Sequence, residues 1–209
     1  MSYELYPLFS KPVYVKKLNI DCRKIVSLIN KSFEQAGVKD NINSNVSNIT
    51  SASKDKNVLD KKKLKFVKDA VLNELSFYTK EILRYTNKFK MTTSWFTKSE
   101  PNQQSNYHSH TNSMYSGVLY LQASKDSGNI SFTDYRNNSM FNLIPKDYNV
   151  YNSMEYYFKT EPGLIIIFPS EMHHKILTNK SNTIRYSLAF NCIPIGNINH
   201  KNSDSFLKI

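Results

Sequence analysis

Four of the five histidines lie in two short stretches, His108-Ser109-His110 and His173-His174, far apart in the chain. Each stretch sits against a strand-like apolar run, Ser116–Leu121 after the first and Phe168-Pro169-Ser170 before the second. His108 and His110, two apart on an extended segment, point the same way. With His174 they could take three positions on one face of an octahedral ion. The opposite positions would then be left for substrate and dioxygen, the logic of a non-haem Fe(II) site. The usual third ligand of such a site is a carboxylate, and a lone His-x-His also suits zinc.

The second chemical feature is the last strand-like run, Ile184-Arg185-Tyr186-Ser187-Leu188-Ala189-Phe190-Asn191. Alternation puts Ile184, Tyr186, Leu188 and Phe190 on one face and Arg185, Ser187, Ala189 and Asn191 on the other. The first face suits packing against helices or a second sheet. The other is small and polar, and it places a cation in open space. An arginine beside a serine hydroxyl makes a good carboxylate anchor, because guanidinium binds carboxylate through two parallel hydrogen bonds. Tyr120, on the face of its run opposite Leu119 and Leu121, could reach the same carboxylate. Asp134 and Arg136 share a strand face and read as a local ion pair.

These residues need strands to position them. Beyond about residue 91 the chain reads as short strands near 91–98, 116–122, 129–134, 155–160, 163–168 and 183–191, with turns at 127–129 and 161–163. Before that, a strand at 12–15 precedes a helix from about 20 to Gly37, then a polar loop at 39–56. A second helix spans 58–86, with Leu64, Phe66, Val67, Val71, Leu72, Leu75, Phe77, Tyr78, Ile82 and Leu83 on its apolar face and Lys61–Lys63 at its solvated start. The tail beyond Pro194 is polar and reads as loosely held. The fold class is mainly β with flanking α-helices, an antiparallel barrel or sandwich with helices outside. The whole chain, 1–209, reads as a single domain: supporting elements in 1–90, a core in 91–195 and a tail in 196–209.

Formal charge is +11, from 28 basic and 17 acidic residues, yet only four of the basic residues are arginine. A lysine, asparagine and isoleucine bias of this kind supports nucleic-acid binding only weakly. Cys22 and Cys192 form no disulfide framework and read as reduced thiols. The N-terminus lacks a signal-peptide pattern, and no run nears the roughly 20 apolar residues that cross a membrane. A cytoplasmic protein is the expectation.

Read together, the blocks His108-x-His110-x-Asn112-Ser113-x-x-Ser116-Gly117-Val118-x-Tyr120-Leu121, Gly128-x-Ile130-x-Phe132-x-Asp134-x-Arg136, Pro162-Gly163-x-x-x-x-Phe168-Pro169-Ser170-x-x-x-His174 and Arg185-x-Ser187-x-x-Phe190-Asn191, with Leu8–Val13 and Trp95, resemble the Fe(II)/2-oxoglutarate-dependent dioxygenase superfamily. Within it, the chain is similar to the 2OG-Fe(II) oxygenase family met in marine bacteria and their phages. The resemblance implies a double-stranded β-helix, the cupin-like jelly roll. It implies that His174 is an iron ligand, and that Arg185, helped by Ser187 and Tyr120, binds the distal carboxylate of 2-oxoglutarate. His173 has no matching role. The family's first ligand block is His-x-Asp, which leaves two registers here. Either His108 and His110 are the ligands, with His110 in the acidic position, or His110 is the first ligand and Asn112 takes that position; we favour the first. Asp134 could supply a carboxylate from elsewhere.

The implied cofactors are Fe(II), 2-oxoglutarate as co-substrate and O2. The implied reaction is oxidative decarboxylation of 2-oxoglutarate coupled to C–H oxidation, most simply hydroxylation. A cupin-like metal protein that uses no 2-oxoglutarate, either a three-His dioxygenase or a zinc-binding sensor, is the competing reading, and Arg185-x-Ser187 opposes it. The residues leave open whether the substrate is a peptide, a nucleotide or a small metabolite, and whether edge strands pair into a homodimer.

Overall fold

Leu164-Ile165-Ile166-Ile167-Phe168 is apolar without alternation, the mark of a strand covered on both faces. The computed structural model, which describes residues 4–29, 48–134 and 143–209, shows the two layers that cover it. In chain order the elements are β1 (Tyr14–Lys17), α1 (Cys22–Ile29), β2 (Ser51–Ala52), α2 (Lys65–Phe77), β3 (Lys88–Ser99), β4 (Tyr115–Gln122), β5 (Ile130–Thr133), β6 (Glu155–Phe158), β7 (Leu164–Pro169), β8 (His173–Ile176), β9 (Arg185–Ile195), β10 (Asn197–Ile198) and β11 (Leu207–Lys208). A larger antiparallel sheet has the order β1-β7-β4-β9-β3-β2, and a smaller one the order β6-β5-β8.

Two cores follow from the alternation. Ile165, Ile167, Leu119, Leu121, Tyr186, Leu188 and Phe190 face the helices and pack with Ile25, Ile29, Val67, Val71 and Leu75. Val118, Tyr120, Ile166 and Phe168 face the smaller sheet and meet Ile130 and Phe132. The period-two reading of 184–191 therefore holds, with Arg185 and Ser187 turned between the sheets and almost fully buried.

The helical region differs from expectation in its details. Asp21 caps α1 by accepting the Lys24 N–H at 3.0 Å, so the helix begins at Cys22, and its expected end at Gly37 lies outside the described residues. The single helix expected over 58–86 is two 3-10 turns (58–60 and 62–64), then α2, then a π-helical turn at Tyr78–Ile82. Lys61 is extended, with φ −67° and ψ 128°, and that interrupts the start. The wider π turn rotates the following residues off the earlier stripe. Leu64, Val67, Val71, Leu75 and Tyr78 are buried, whereas Phe66, Phe77 and Ile82 are exposed. Lys24 and Lys16 lie over the Phe66 and Phe77 rings.

Four short strands lie where loops or tail were expected. Ser51–Ala52 pairs with Thr97–Lys98 of β3. β8 pairs with β5, placing His174 opposite Phe132. The tail is ordered: β9 runs through Pro194 to Ile195, β10 pairs with β11, and Gly196 and Ile209 exchange backbone bonds of 2.8 and 3.1 Å.

One close approach governs how β4 and β9 stack. A Cβ on Gly117 would stand 2.2 Å from Phe190 Cζ and 2.8 Å from the Ile166 carbonyl oxygen. Gly117→Ala should destabilise the fold by about 1–3 kcal/mol, the usual cost of overpacking. Urea denaturation measures this, and Phe190→Leu in the same chain should recover part of the loss.

Candidate active site

The short β8 brings the histidines together. His174 and His108 form an antiparallel backbone pair, His108 N–H donating to His174 O at 3.0 Å and His174 N–H to His108 O at 2.9 Å. His110 is fixed by its own N–H, which donates to Ser170 O at 2.9 Å. The result is a cluster of His108, His110 and His174 whose ligand nitrogens all lie within 4.8 Å of one another. His174 is buried, His110 half-buried and His108 exposed. Among the described residues no carboxylate joins them: Asp134 lines a neighbouring cavity. Asn112 is exposed, in a left-handed turn with φ 53°, and is not part of the cluster. His173 projects from the other face of β8, and Arg136 lies outside the described residues.

Two of the rings are oriented in the same way. His108 Nδ1 stands 2.9 Å from the Asn106 carbonyl oxygen, and His174 Nδ1 stands 2.9 Å from that of Met172. A carbonyl only accepts, so each Nδ1 carries the proton and each Nε2 presents a lone pair, the state a metal requires. Burial reinforces it by disfavouring the imidazolium. Desolvation, with a smaller push from His108, lowers the His110 pKa to about 4. Desolvation also lowers His174 to about 3, against an opposing Met172 hydrogen bond and with help from the other three histidines.

Positioning residues surround the cluster, and most were not foreseen as such. Tyr107 donates to Glu155 at 3.1 Å, accepts from Thr133 at 3.0 Å and carries Lys175 over its ring at 4.2 Å, which ties the residue before His108 to the smaller sheet. Ser116 joins Ser170 at 2.8 Å and Asn191 at 2.7 Å, so the backbone that holds His110 is anchored to β4 and β9. Trp95, the single tryptophan, packs with its ring centroid 5.8 Å from that of His110.

Phe168 and Phe132, at 4.7 and 5.7 Å from the His174 ring, connect the cluster to the inter-sheet core, and in that core sits a polar cradle. Arg185 is only 1% exposed. Its Nη1 donates to the carbonyls of Ser127 and Gly128, and among the described residues no carboxylate neutralises it. Burial lowers its pKa, with Tyr120 acting against that shift. Tyr120 is fully buried and its hydroxyl has no hydrogen-bond partner among the described residues. Ser187, directly opposite Tyr120 across the β4–β9 ladder, contacts Thr97. A buried cation, an orphaned hydroxyl and a serine on one face fit a carboxylate. Gly128 belongs to the cradle too. Its φ is +92°, and a Cβ there would stand 2.7 Å from Arg185 Nη1 and 2.1 Å from the Leu177 carbonyl oxygen. In sequence it reads as a turn and as the first residue of the block that runs to Arg136.

Residues 93–191, which contain the histidine cluster and Arg185, match the family described as "Putative 2OG-Fe(II) oxygenase". The chain is similar to that family over just under half of its length. The chain carries a site that fits Fe(II), with 2-oxoglutarate as co-substrate and O2 as oxidant. Its fold is similar to that of a prolyl hydroxylase from Trichoplax adhaerens solved with a hypoxia inducible factor peptide, at 12% identity and TM-score 0.60 over 87% of this chain and 83% of that one. A Pseudomonas putida prolyl-4-hydroxylase is similar at 15% identity and TM-score 0.56, over 88% of this chain and 94% of the other. A non-heme alpha ketoglutarate dependent carbocyclase of nogalamycin biosynthesis gives 9% and 0.64, over 93% and 84%. The architecture is thus the double-stranded β-helix. No curated protein matches the sequence. Among the described residues no helix is long and apolar enough to cross a membrane.

The depressed histidines make the metal-free protein acid-sensitive. A histidine whose folded pKa lies below its unfolded value destabilises the fold once pH drops through the unfolded value near 6.5, and the penalty grows until the folded pKa is reached, about 4 for His110 and 3 for His174. The urea midpoint of metal-free protein should therefore fall steadily from pH 7 to pH 5, above the main carboxylate titrations. The same titration on His174→Gln should give a visibly flatter slope; an equal slope would remove His174 from the account.

Proposed function

We propose that this protein is a hydroxylase in which His108, His110 and His174 hold Fe(II), and Arg185, with Ser187 and Tyr120, holds the far carboxylate of 2-oxoglutarate. The observation that carries the reading is the pairing of three metal-ready imidazoles with a buried guanidinium that no protein carboxylate neutralises among the described residues. The cradle also argues against a zinc sensor or a three-His protein without 2-oxoglutarate, neither of which needs a buried cation. Asn112 is left without a ligand role, since its exposed turn favours the register that uses His108 and His110.

Bound iron and 2-oxoglutarate supply the oxidising chemistry, decarboxylation of the oxo acid coupled to oxygen insertion into a substrate C–H bond. The chain supplies position and environment. His108 and His174 keep Nε2 forward because their Nδ1 protons are held by backbone carbonyls. Arg185 orients the co-substrate by a charge-assisted contact in a site from which Phe132, Phe168 and Ile166 exclude water. Tyr120 gains the hydrogen bond it otherwise lacks. His110 stands where a carboxylate is usual, so the ligand set is neutral and leaves the ion's full charge to attract an anion.

Anaerobic titrations with Fe(II) and then 2-oxoglutarate, followed by Trp95 fluorescence and the visible band of the chelate, test these roles. His174→Ala should abolish tight Fe(II) binding while His173→Ala retains most of it; equal loss in both would overturn the assignment. Arg185→Ala should weaken 2-oxoglutarate by roughly thirtyfold or more, equivalent to about 2–5 kcal/mol for a buried charge pair, with Fe(II) affinity little changed. Arg185→Lys should recover only part. Unaltered 2-oxoglutarate affinity in Arg185→Ala would move the anchor elsewhere.

A further inference from the structure

Phe132, whose ring stands 5.7 Å from that of His174, also forms part of the wall of a cavity of about 800 Å3. The cavity opens between two sheet edges. On one side is the segment 9–13 leading into β1, the outermost strand of the larger sheet; on the other is β6, the outermost strand of the smaller. Its lining is largely apolar and aromatic, with Val13, Tyr156, Phe158, Met154 and Met172 alongside Phe132. Phe9, Val150 and Tyr151 at its rim are more than half exposed, as are Tyr148 and Tyr157 nearby in sequence. Apolar groups gathered at the mouth of a cavity mark a binding surface.

Charge narrows the occupant. The chain carries +11 overall, yet one lysine lines this cavity, Lys11, and it is paired with Glu171 at 3.0 Å. Asp134 and His173, the other ionisable side chains in the wall, have interactions of their own. Nothing here matches a phosphate or a polyanion.

The β6 edge narrows it further. Asp134 N–H donates to Met154 O at 3.1 Å, and the ladder continues with Phe132 opposite Tyr156 and Ile130 opposite Phe158. In an antiparallel pair, hydrogen-bonded and non-bonded residues alternate. Tyr156 and Phe158 thus direct their backbone groups to β5. Those of Glu155 and Tyr157 point off the edge, and among the described residues they have no backbone partner. Such an edge is a template for one more strand.

We propose that this cavity is the primary-substrate site and that it takes an extended, uncharged polypeptide segment, which adds to the β6 edge and directs apolar side chains inward past Tyr156 and Phe132. Its role as substrate site rests on the oxygenase reading above; the binding itself does not.

The test uses the full chain and three fluorescent probes: a degenerate nonapeptide pool alternating apolar with small uncharged residues, a pool of the same length with Lys and Glu at the apolar positions, and a twelve-residue oligothymidylate. The uncharged pool should bind saturably and about tenfold tighter than either of the others, with slowed amide exchange at Glu155 and Tyr157. Tyr157→Pro removes an outward N–H without touching the β5 ladder, and should weaken binding about tenfold, while Tyr157→Ala should change it far less. Equal effects of the two substitutions, no preference among probes, or preference for the oligonucleotide would each overturn the proposal. Fe(II) and 2-oxoglutarate titration of Tyr157→Pro, unchanged from the parent, shows that the fold is intact. Peptide binding that persists where the parent fails that titration would keep the groove and overturn only the oxygenase roles.

Discussion

Two reciprocal backbone hydrogen bonds, between His108 and His174, bring together segments that are remote in the chain and make the rest of the site possible. Each bond contributes only about 1 kcal/mol net, so the closure cannot rest on that pair alone. Neighbouring bonds share the work. Ser105 donates to Ile176 O at 3.0 Å and accepts from Ile176 N–H at 2.7 Å, His110 is held by Ser170, and Tyr107 is tied to Glu155 and Thr133. The segment before and through the His-x-His is thereby laced to the smaller sheet along its length. The rings then need little adjustment, because their Nδ1 contacts are local.

Electrostatics at the two ends of the inter-sheet space can be weighed together. Burial keeps His110 and His174 neutral and keeps Arg185 isolated, so without ligands this interior, among the described residues, holds one uncompensated cation. In the roles proposed, a divalent ion at a neutral ligand set adds two further charges, and a dicarboxylate offsets two of the three. A carboxylate in place of His110 would have completed that neutralisation. Its absence makes the anion's contribution to holding the site together larger, since an unpaired buried charge is costly and an apolar surround magnifies each contact.

Much of this was legible in sequence because strands covered on one or both faces leave a strong periodic signature. The faces of 184–191 and the burial of Tyr120 follow directly from alternation and the long apolar run at β7. What escaped lacks such a signature. β8 is four residues, His-His-Lys-Ile, with too little apolar content to announce a strand, although His174 needs one. The break at Lys61 and the π turn after Phe77 leave composition unchanged while shifting which residues are buried. The Gly128 contact with Arg185 depends on a turn meeting the start of a distant strand. Tyr107 gave one usable signal, an aromatic residue next to the first histidine, but its acidic partner is 48 residues away.

A two-sheet sandwich has two seams, and this one treats them differently. At one seam, β2 and the residues before it reach across: Thr50 N–H donates to Gln104 O, Gln104 N–H donates to Asn48 O, and the same segment continues through Ser105 and His108 to β8. The larger sheet, the 103–110 segment and the smaller sheet are thus joined by an unbroken series of backbone bonds, with the histidines at its end. At the other seam, among the described residues, β1 and β6 are not joined, and the aromatic cavity lies between residues 9–13 and β6. Rigidity is needed where ligands must stay within a few tenths of an ångström, and access is needed where a large molecule must enter. Lacing one seam and leaving the other open meets both needs with the same two sheets, and Phe132, packed against His174 on one side and lining the cavity on the other, is where they meet.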